Sequence, residues 1–184
     1  GAARKAGLSY VAITDHSRRL NIAHGLDADR LVRQIDLIDR FNQKSKDIVV
    51  LKGIEIEILE DGTLDLPASV LRRLDLVVGA VHTHFKLSRT RQTERIMRAM
   101  DQPCFSILAH PTGRLIGERE SYEVDLERLI RHARERGCFL ELNAHPDRLD
   151  LNDIGCRMAR DGGVQVAISS DSHDENGFAA LRFG

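Results

Sequence analysis

Six short apolar runs in this chain each end in side chains able to bind a metal ion. SYVAIT (9–14) runs into Asp15 and His16, and IVVLKGI (48–54) runs into Glu55. LVVGAV (76–81) is followed by His82, Thr83 and His84, and FSILA (105–109) by His110. CFLEL (138–142) leads to Asn143 and His145, and VQVAISS (164–170) to Asp171, Ser172 and His173. A lone His after a strand is usually a hydrogen-bonded loop residue, but recurrence at successive strand ends points to a shared site. Imidazoles mixed with carboxylates suit Zn, Mn or Fe better than Ca or Mg alone. Asp171 and His173, two apart in an extended segment, share a face and form a compact ligand pair. Glu57 shares a face with Glu55 by the same alternation, as a supporting, rim or merely exposed carboxylate. Asp15, preceding His16, points to the opposite face if the strand continues and reads as supporting the site or as structural rather than as a ligand. His132 lies mid-helix between Arg131 and Arg134 and reads as a solvated face, while His24 lies in a loop and is ambiguous.

Something must bring those strand ends together, and the elements between them suggest what. Asp27 is an N-cap candidate for a helix reaching about Asn42, with Leu31, Ile35, Ile38 and Phe41 on one face. Helical stretches are also expected near Pro67–Arg73, over Thr90–Met100, over Leu126–Arg136 (capped by Asp125 and closed by Gly137) and over Asn152–Asp161. Ile48–Leu59 reads first as a continuous apolar run and then as alternation, ahead of the Asp61–Gly62 turn. Strands alternating with helices indicate βαβ units and a parallel sheet, and continuous apolar runs fit strands covered on both faces. A TIM-like barrel and an open doubly wound sheet both satisfy this pattern. In a barrel, the strand C-termini face one mouth. Neither GxGxxG nor GxxxxGK[ST] occurs, which argues against nucleotide-binding Rossmann and P-loop folds.

Composition narrows the functional classes. The 184 residues suit one domain with a real core, and no apolar run approaches a membrane span. With 27 basic against 28 acidic residues, the net charge of −1 excludes nucleic-acid binding by bulk positive charge. Any phosphate binding must be local. Of the basic residues 22 are Arg and 5 Lys, a bias that reflects either a GC-rich genome or bidentate phosphate recognition. Cys104, Cys138 and Cys156 form no CxxC pair and sit by apolar stretches, as expected of buried reduced thiols in a cytoplasmic protein. The opening GAARKAG reads as the last turn of a helix closed by Gly7, and the final RFG follows a helix barely begun. Both ends are therefore expected to be cuts through a longer chain.

The strand-end motifs TDHS (14–17), GIE (53–55), AVH (80–82), AHP (109–111) and SDSH (170–173) resemble those of the PHP (polymerase and histidinol phosphatase) metallohydrolase domain. The connecting text LNIAHGLDADRLVRQIDLIDRFN (20–42), LAHPTGRLIGERE (108–120) and ELNAHPDRLDL (141–151) resembles the C-terminal PHP domain of bacterial and archaeal family X DNA polymerases. The resemblance covers essentially the whole chain and implies one PHP domain over residues 1–184, a distorted seven-stranded (β/α) barrel incomplete at both ends. It implies a site for up to three Mn or Zn ions, with His16, Glu55, His82, His110, Asp171 and His173 as ligands. The family's remaining ligands, an HxH pair and an Asp on the first strand, are expected upstream of Gly1, as are the polymerase and helix-hairpin-helix parts.

The implied activity is Mn-dependent 3′→5′ exonuclease or related 3′-end processing in base excision repair, with DNA delivered by other domains and no membrane partner. In that reading bound metal ions would activate water and neutralise the phosphodiester, Glu55 would be placed to bridge two of them, and Asp171 and Arg114 would complete the catalytic set. Arg18, Arg19, Arg114, Lys86 and Arg148 are the candidate phosphate clamps. Rival readings are a histidinol-phosphatase-like phosphomonoesterase and a catalytically depleted regulatory or structural module. Without a further strand, the Ser9–Thr14 strand is expected to keep an unpaired edge.

Overall fold

The computed structural model describes residues 1–19 and 25–184; His24 therefore lies outside the described residues. After a one-turn helix, α1 (Ala2–Lys5), the chain alternates strand and helix almost throughout. The strands are β1 (Tyr10–Ile13), β2 (Val49–Lys52), β3 (Glu55–Glu57), β4 (Val78–Ala80), β5 (Ile107–Leu108), β6 (Phe139–Asn143) and β7 (Val166–Ser169). The helices between them are α2 (Ala28–Lys44), α3 (Ala68–Leu71), α4 (Arg89–Met100), α5 (Leu126–Arg136) and α6 (Asp153–Asp161). A 3₁₀ segment, Gly177–Phe183, follows β7.

All pairings between these strands are parallel. β1 pairs with β2, and β3 to β7 form a five-stranded sheet in sequence order. The two sheets are joined by a bridge between His16 and Glu55, in which Glu55 N–H donates to Asp15 O (3.0 Å) and Ser17 N–H to Glu55 O (2.9 Å). Among the described residues, β1 and β7 each have one strand neighbour. The arrangement is an arc of parallel strands backed by helices, in keeping with a distorted barrel.

Local chemistry sets the element ends. Asp27, Ser88, Asp125 and Asn152 cap α2, α4, α5 and α6, each side chain accepting a backbone N–H three residues on. α5 ends at Gly137 in the left-handed conformation (φ 69°), which a Cβ would strain. Leu31 and Ile35 of α2 pack with Ile54, Ile56 and Leu71 in one core cluster. Ile96, Met100, Leu108, Leu129 and Leu140 anchor a larger one under α4–α6. No helix among the described residues is long and apolar enough to cross a membrane.

The run 48–59 forms two strands, because Gly53 passes so close to β1 that a Cβ there would lie 2.9 Å from Ile13 O. Two expectations from sequence need correcting. In 105–109 only Ile107–Leu108 is strand, since Phe105 N–H turns back to Gln102 O (3.0 Å). His132 is not on a solvated face: it is 8% exposed, and its Nε2 lies 2.9 Å from Asp101 Oδ1 at the end of α4.

Candidate metal centre

The strand C-termini converge on one carboxylate. Glu55 opens β3 and is 9% exposed. Its Oε1 lies 3.0 Å from His110 Nε2 and 3.2 Å from His82 Nε2, and its Oε2 lies 3.5 Å from His16 Nδ1. Ligand atoms of His16, Glu55 and His82 all fall within 4.8 Å of one another. The ring centroids of His16 and His82 are 5.5 Å apart and those of His82 and His110 5.2 Å apart. Three imidazoles thus come from the ends of β1, β4 and β5 to a carboxylate on β3.

The donor set fits a divalent ion of the Zn or Mn type. His16 Nδ1 and His110 Nδ1 are buried without a hydrogen-bond partner, and a buried polar atom left so is costly unless something fills the gap. His16 Nδ1 faces Glu55 at a distance too long for a hydrogen bond, as two ligands of one ion would. His110 also has a positive φ (26°), as does Asp171 (48°), a sparsely populated conformation for residues with a Cβ that recurs at functional sites.

The electrostatics follow from packing charges so tightly. Burial alone would raise the Glu55 carboxyl, but hydrogen bonds from His110 and His82 outweigh it and hold its pKa well below the ordinary value. Burial disfavours a charged His82, yet Glu55 and Glu57 on either side push its pKa up to about 9. Burial, with His82 and His173 nearby, outweighs Glu55 at His16 and lowers its pKa, leaving a neutral imidazole ready to ligate.

Sequence reasoning left Glu57 open and did not single out two deeper groups. Glu57 is 1% exposed and accepts from His82 Nδ1 (2.9 Å), Thr83 Oγ1 (2.7 Å) and the wholly buried Arg95 (3.4 Å). Glu141, on β6, accepts from the His110 backbone N–H (2.5 Å) and from Ser169 Oγ. Burial pushes the Glu141 carboxyl up to about 7, against the pull of His110. A charged residue inside the apolar run CFLEL was the signal for Glu141. Arg95 shares the apolar phase of its helix with Ile96 and Ala99.

The β7 end carries the rest of the candidate set. The His173 ring lies 5.9 Å from that of His16 and is largely exposed. Asp171 Oδ2 accepts from Asn143 Nδ2 (2.9 Å) and Arg148 Nε (3.2 Å), so β6 and its following loop orient it. Arg148 Nη1 is buried and unpartnered. Arg114 donates through Nε to Arg148 O (2.8 Å) and through Nη2 to Leu149 O, bracing the loop that presents Arg148. Arg18, Arg19 and Lys86 are exposed, Arg19 donating its backbone N–H to Asp65 (3.2 Å). His145 turns back onto its own loop, with Nδ1 3.7 Å from Asp147. Asp15 accepts from Gln34 Nε2 (2.7 Å), a structural contact as its position suggested.

Comparison with known proteins gives a consistent picture. No family model matches the chain. It is 43% identical over 170 residues to the DNA polymerase/3′-5′ exonuclease PolX of Bacillus subtilis, covering 92% of this chain and 30% of that protein. It is 30% identical over 175 residues to a probable phosphatase of Acetivibrio thermocellus, covering 91% of this chain and 68% of that one. A probable phosphatase of Thermoanaerobacter sp. (strain X514) is 29% identical over 182 residues, with 93% and 69% covered. Among solved structures, a histidinol phosphate phosphatase from Lactococcus lactis subsp. lactis, complexed with Zn, L-histidinol and phosphate, superposes with a TM-score of 0.58 at 13% identity. That match covers 98% of this chain and 82% of the other.

Proposed function

The chain belongs to the PHP family of metal-dependent phosphoesterases, and on that footing we propose that it is the 3′→5′ exonuclease and 3′-end-processing domain of a family X DNA polymerase. The observation that carries this reading is the set of three imidazoles gathered on the single carboxylate of Glu55, on a chain 43% identical to the PolX relative. The chain spans only 30% of that relative's length, so polymerase and DNA-binding parts are assigned to the parent protein.

In this reading His16, Glu55, His82, His110, Asp171 and His173 hold up to three Mn²⁺ or Zn²⁺ ions, with further ligands supplied by chain preceding Gly1. Bound divalent ions supply Lewis-acid polarisation of the phosphoryl group and activation of water. The protein's residues do the rest. Glu55 collects the imidazoles, and Asn143 and Arg148 aim the Asp171 carboxylate. Arg114 braces the loop that carries Arg148, whose buried, unpartnered Nη1 is the candidate donor to a phosphate oxygen that enters the site. Arg18, Arg19 and Lys86 complete the phosphate-binding set as exposed charges. These contacts address backbone phosphate, so little base preference is expected. DNA 3′ ends are the substrate, and the cytoplasm is the compartment in keeping with three free thiols.

A second reading is a phosphomonoesterase acting on a small substrate. It is favoured by the relatives named probable phosphatases, of which the chain covers 68–69%, and by the histidinol phosphate phosphatase likeness in fold. One experiment separates the two. The protein bearing this domain is given a 3′-recessed DNA and a small phosphomonoester, each with Mn²⁺ or Zn²⁺. Release of deoxynucleoside monophosphates, abolished by His16→Ala and Asp171→Ala, is expected. Release of phosphate from the monoester alone would favour the second reading. Nuclease activity unchanged by both substitutions would overturn the metal-site assignment.

A further inference from the structure

We infer that Arg95 and Glu57 are positioning residues that hold His82 with its Nε2 turned towards Glu55. The inference rests on the metal-centre reading above and goes beyond it, because neither residue is among the candidate metal ligands.

Glu57 lies two residues along β3 from Glu55, on the same face by alternation and more fully buried. Its carboxylate accepts from His82 backbone N–H (3.1 Å), His82 Nδ1 (2.9 Å), Thr83 Oγ1 (2.7 Å) and Arg95 Nη2 (3.4 Å). An ionised carboxylate only accepts hydrogen bonds. A His82 proton facing it therefore sits on Nδ1, so that when the ring gives up its other proton to bind a metal the lone pair is on Nε2, 3.2 Å from Glu55 Oε1. A carboxylate on the far nitrogen of a ligating His fixes its tautomer and ring plane.

Arg95 fixes Glu57 in turn. Its side chain is 0% exposed, on the inner face of α4 beside Ile96. Besides Glu57, its guanidinium donates to Leu59 O (2.9 Å), Thr83 O (2.9 Å), Ile58 O and Gln92 Oε1 (3.4 Å). It thereby ties the chain leaving β3, the strand that Glu55 opens, to the chain leaving β4, which carries His82. A charge removed from water is expensive, and well-packed apolar residues often serve stability as well as a buried ion pair does. The position of this pair, directly behind an imidazole of the site, gives that cost a use.

The test is a Co²⁺ titration of the full-length protein bearing this domain, followed by its visible d–d absorption, in wild type, His82→Ala, Glu57→Gln, Arg95→Lys and Thr83→Val, with folding checked by circular dichroism. Glu57→Gln places an amide N–H among donors and is expected to weaken Co²⁺ binding 10–100-fold and to shift the band. Arg95→Lys keeps the charge without the fork and is expected to weaken binding about tenfold. Thr83→Val removes only a hydroxyl at an exposed residue, so it tests the same carboxylate if either buried variant fails to fold. A few-fold weakening there supports the inference. Wild-type affinity and spectrum in the folded Glu57 and Arg95 variants, or in Thr83→Val if those do not fold, overturns it while leaving the metal centre in place. Failure of wild type to bind Co²⁺, or identical binding by His82→Ala, removes the metal-centre reading and this inference with it.

Discussion

The imidazoles of His16 and His173 lie 5.9 Å apart although one follows the first strand and the other the last. The strands between them must therefore curve round until the two ends of the arc meet at the mouth. If both rings serve one ion, the energetic effects of losing them are coupled. His16→Ala and His173→Ala are each expected to weaken Zn²⁺ binding, and the double variant to weaken it by clearly less than the two losses combined. Isothermal titration of the four proteins gives the answer. Full additivity would place the two rings on separate ions.

Metal affinity should depend steeply on pH through His82. Its pKa, raised to about 9 by Glu55 and Glu57, means the metal-free ring is charged at neutral pH. Ligation requires the neutral ring, so binding must expel that proton. Zn²⁺ affinity is expected to rise by up to tenfold per pH unit between pH 6 and 8, with about one proton released from this site. Titrations in buffers of different ionisation enthalpy would count it.

Glu141 sets a stability trend of the opposite kind to an ordinary salt-bridged carboxylate. Its folded pKa of about 7 lies above its unfolded value, so between roughly pH 4.5 and 7 the folded state binds more protons. Stability then falls as pH rises through that window and levels off above it. Each unit of difference is worth about 1.4 kcal/mol, so the full effect is on the order of 3 kcal/mol. Glu141→Gln, which still accepts from His110 N–H, is expected to flatten this contribution in urea unfolding measured with chelator at pH 5 and pH 7.5.

His132 provides the contrast to the site histidines. Its hydrogen bond to Asp101 joins α5 to the end of α4. His132→Ala is expected to cost about 1–2 kcal/mol of stability. Zn²⁺ affinity should stay unchanged, whereas His110→Ala should lose it.

The strand-end ligands were legible because periodicity places every strand end, and parallel βαβ order sends all C-termini to one side. His16, Glu55, His82 and His110 meet for that reason. Burial that depends on long-range packing was not legible. His132 looked solvated because its neighbours Arg131 and Arg134 are charged, yet α4 covers it. Arg95 read as one more polar helix residue because nothing local reveals that Ile58, Leu59 and Thr83 offer it carbonyls. The change from apolar run to alternation did not show a break at Gly53, since its cause is the close passage of Ile13 across the sheet.

Among the described residues, the strand pairing between the two sheets is the His16–Glu55 bridge, with the α2 core contacts to Ile54, Ile56 and Leu71 beside it. That seam divides the molecule into a smaller unit of β1, β2 and α2 and a larger one of β3 to β7. An ion held jointly by His16 on one side and His82 and His110 on the other would act as a cross-link across it. Amide hydrogen exchange in β1 and β2 should then slow on adding metal, far more than in β6, while the larger sheet keeps its protection in either state. The ion would be a fastener as well as a reagent, and loss of metal would first show as opening of the smaller unit.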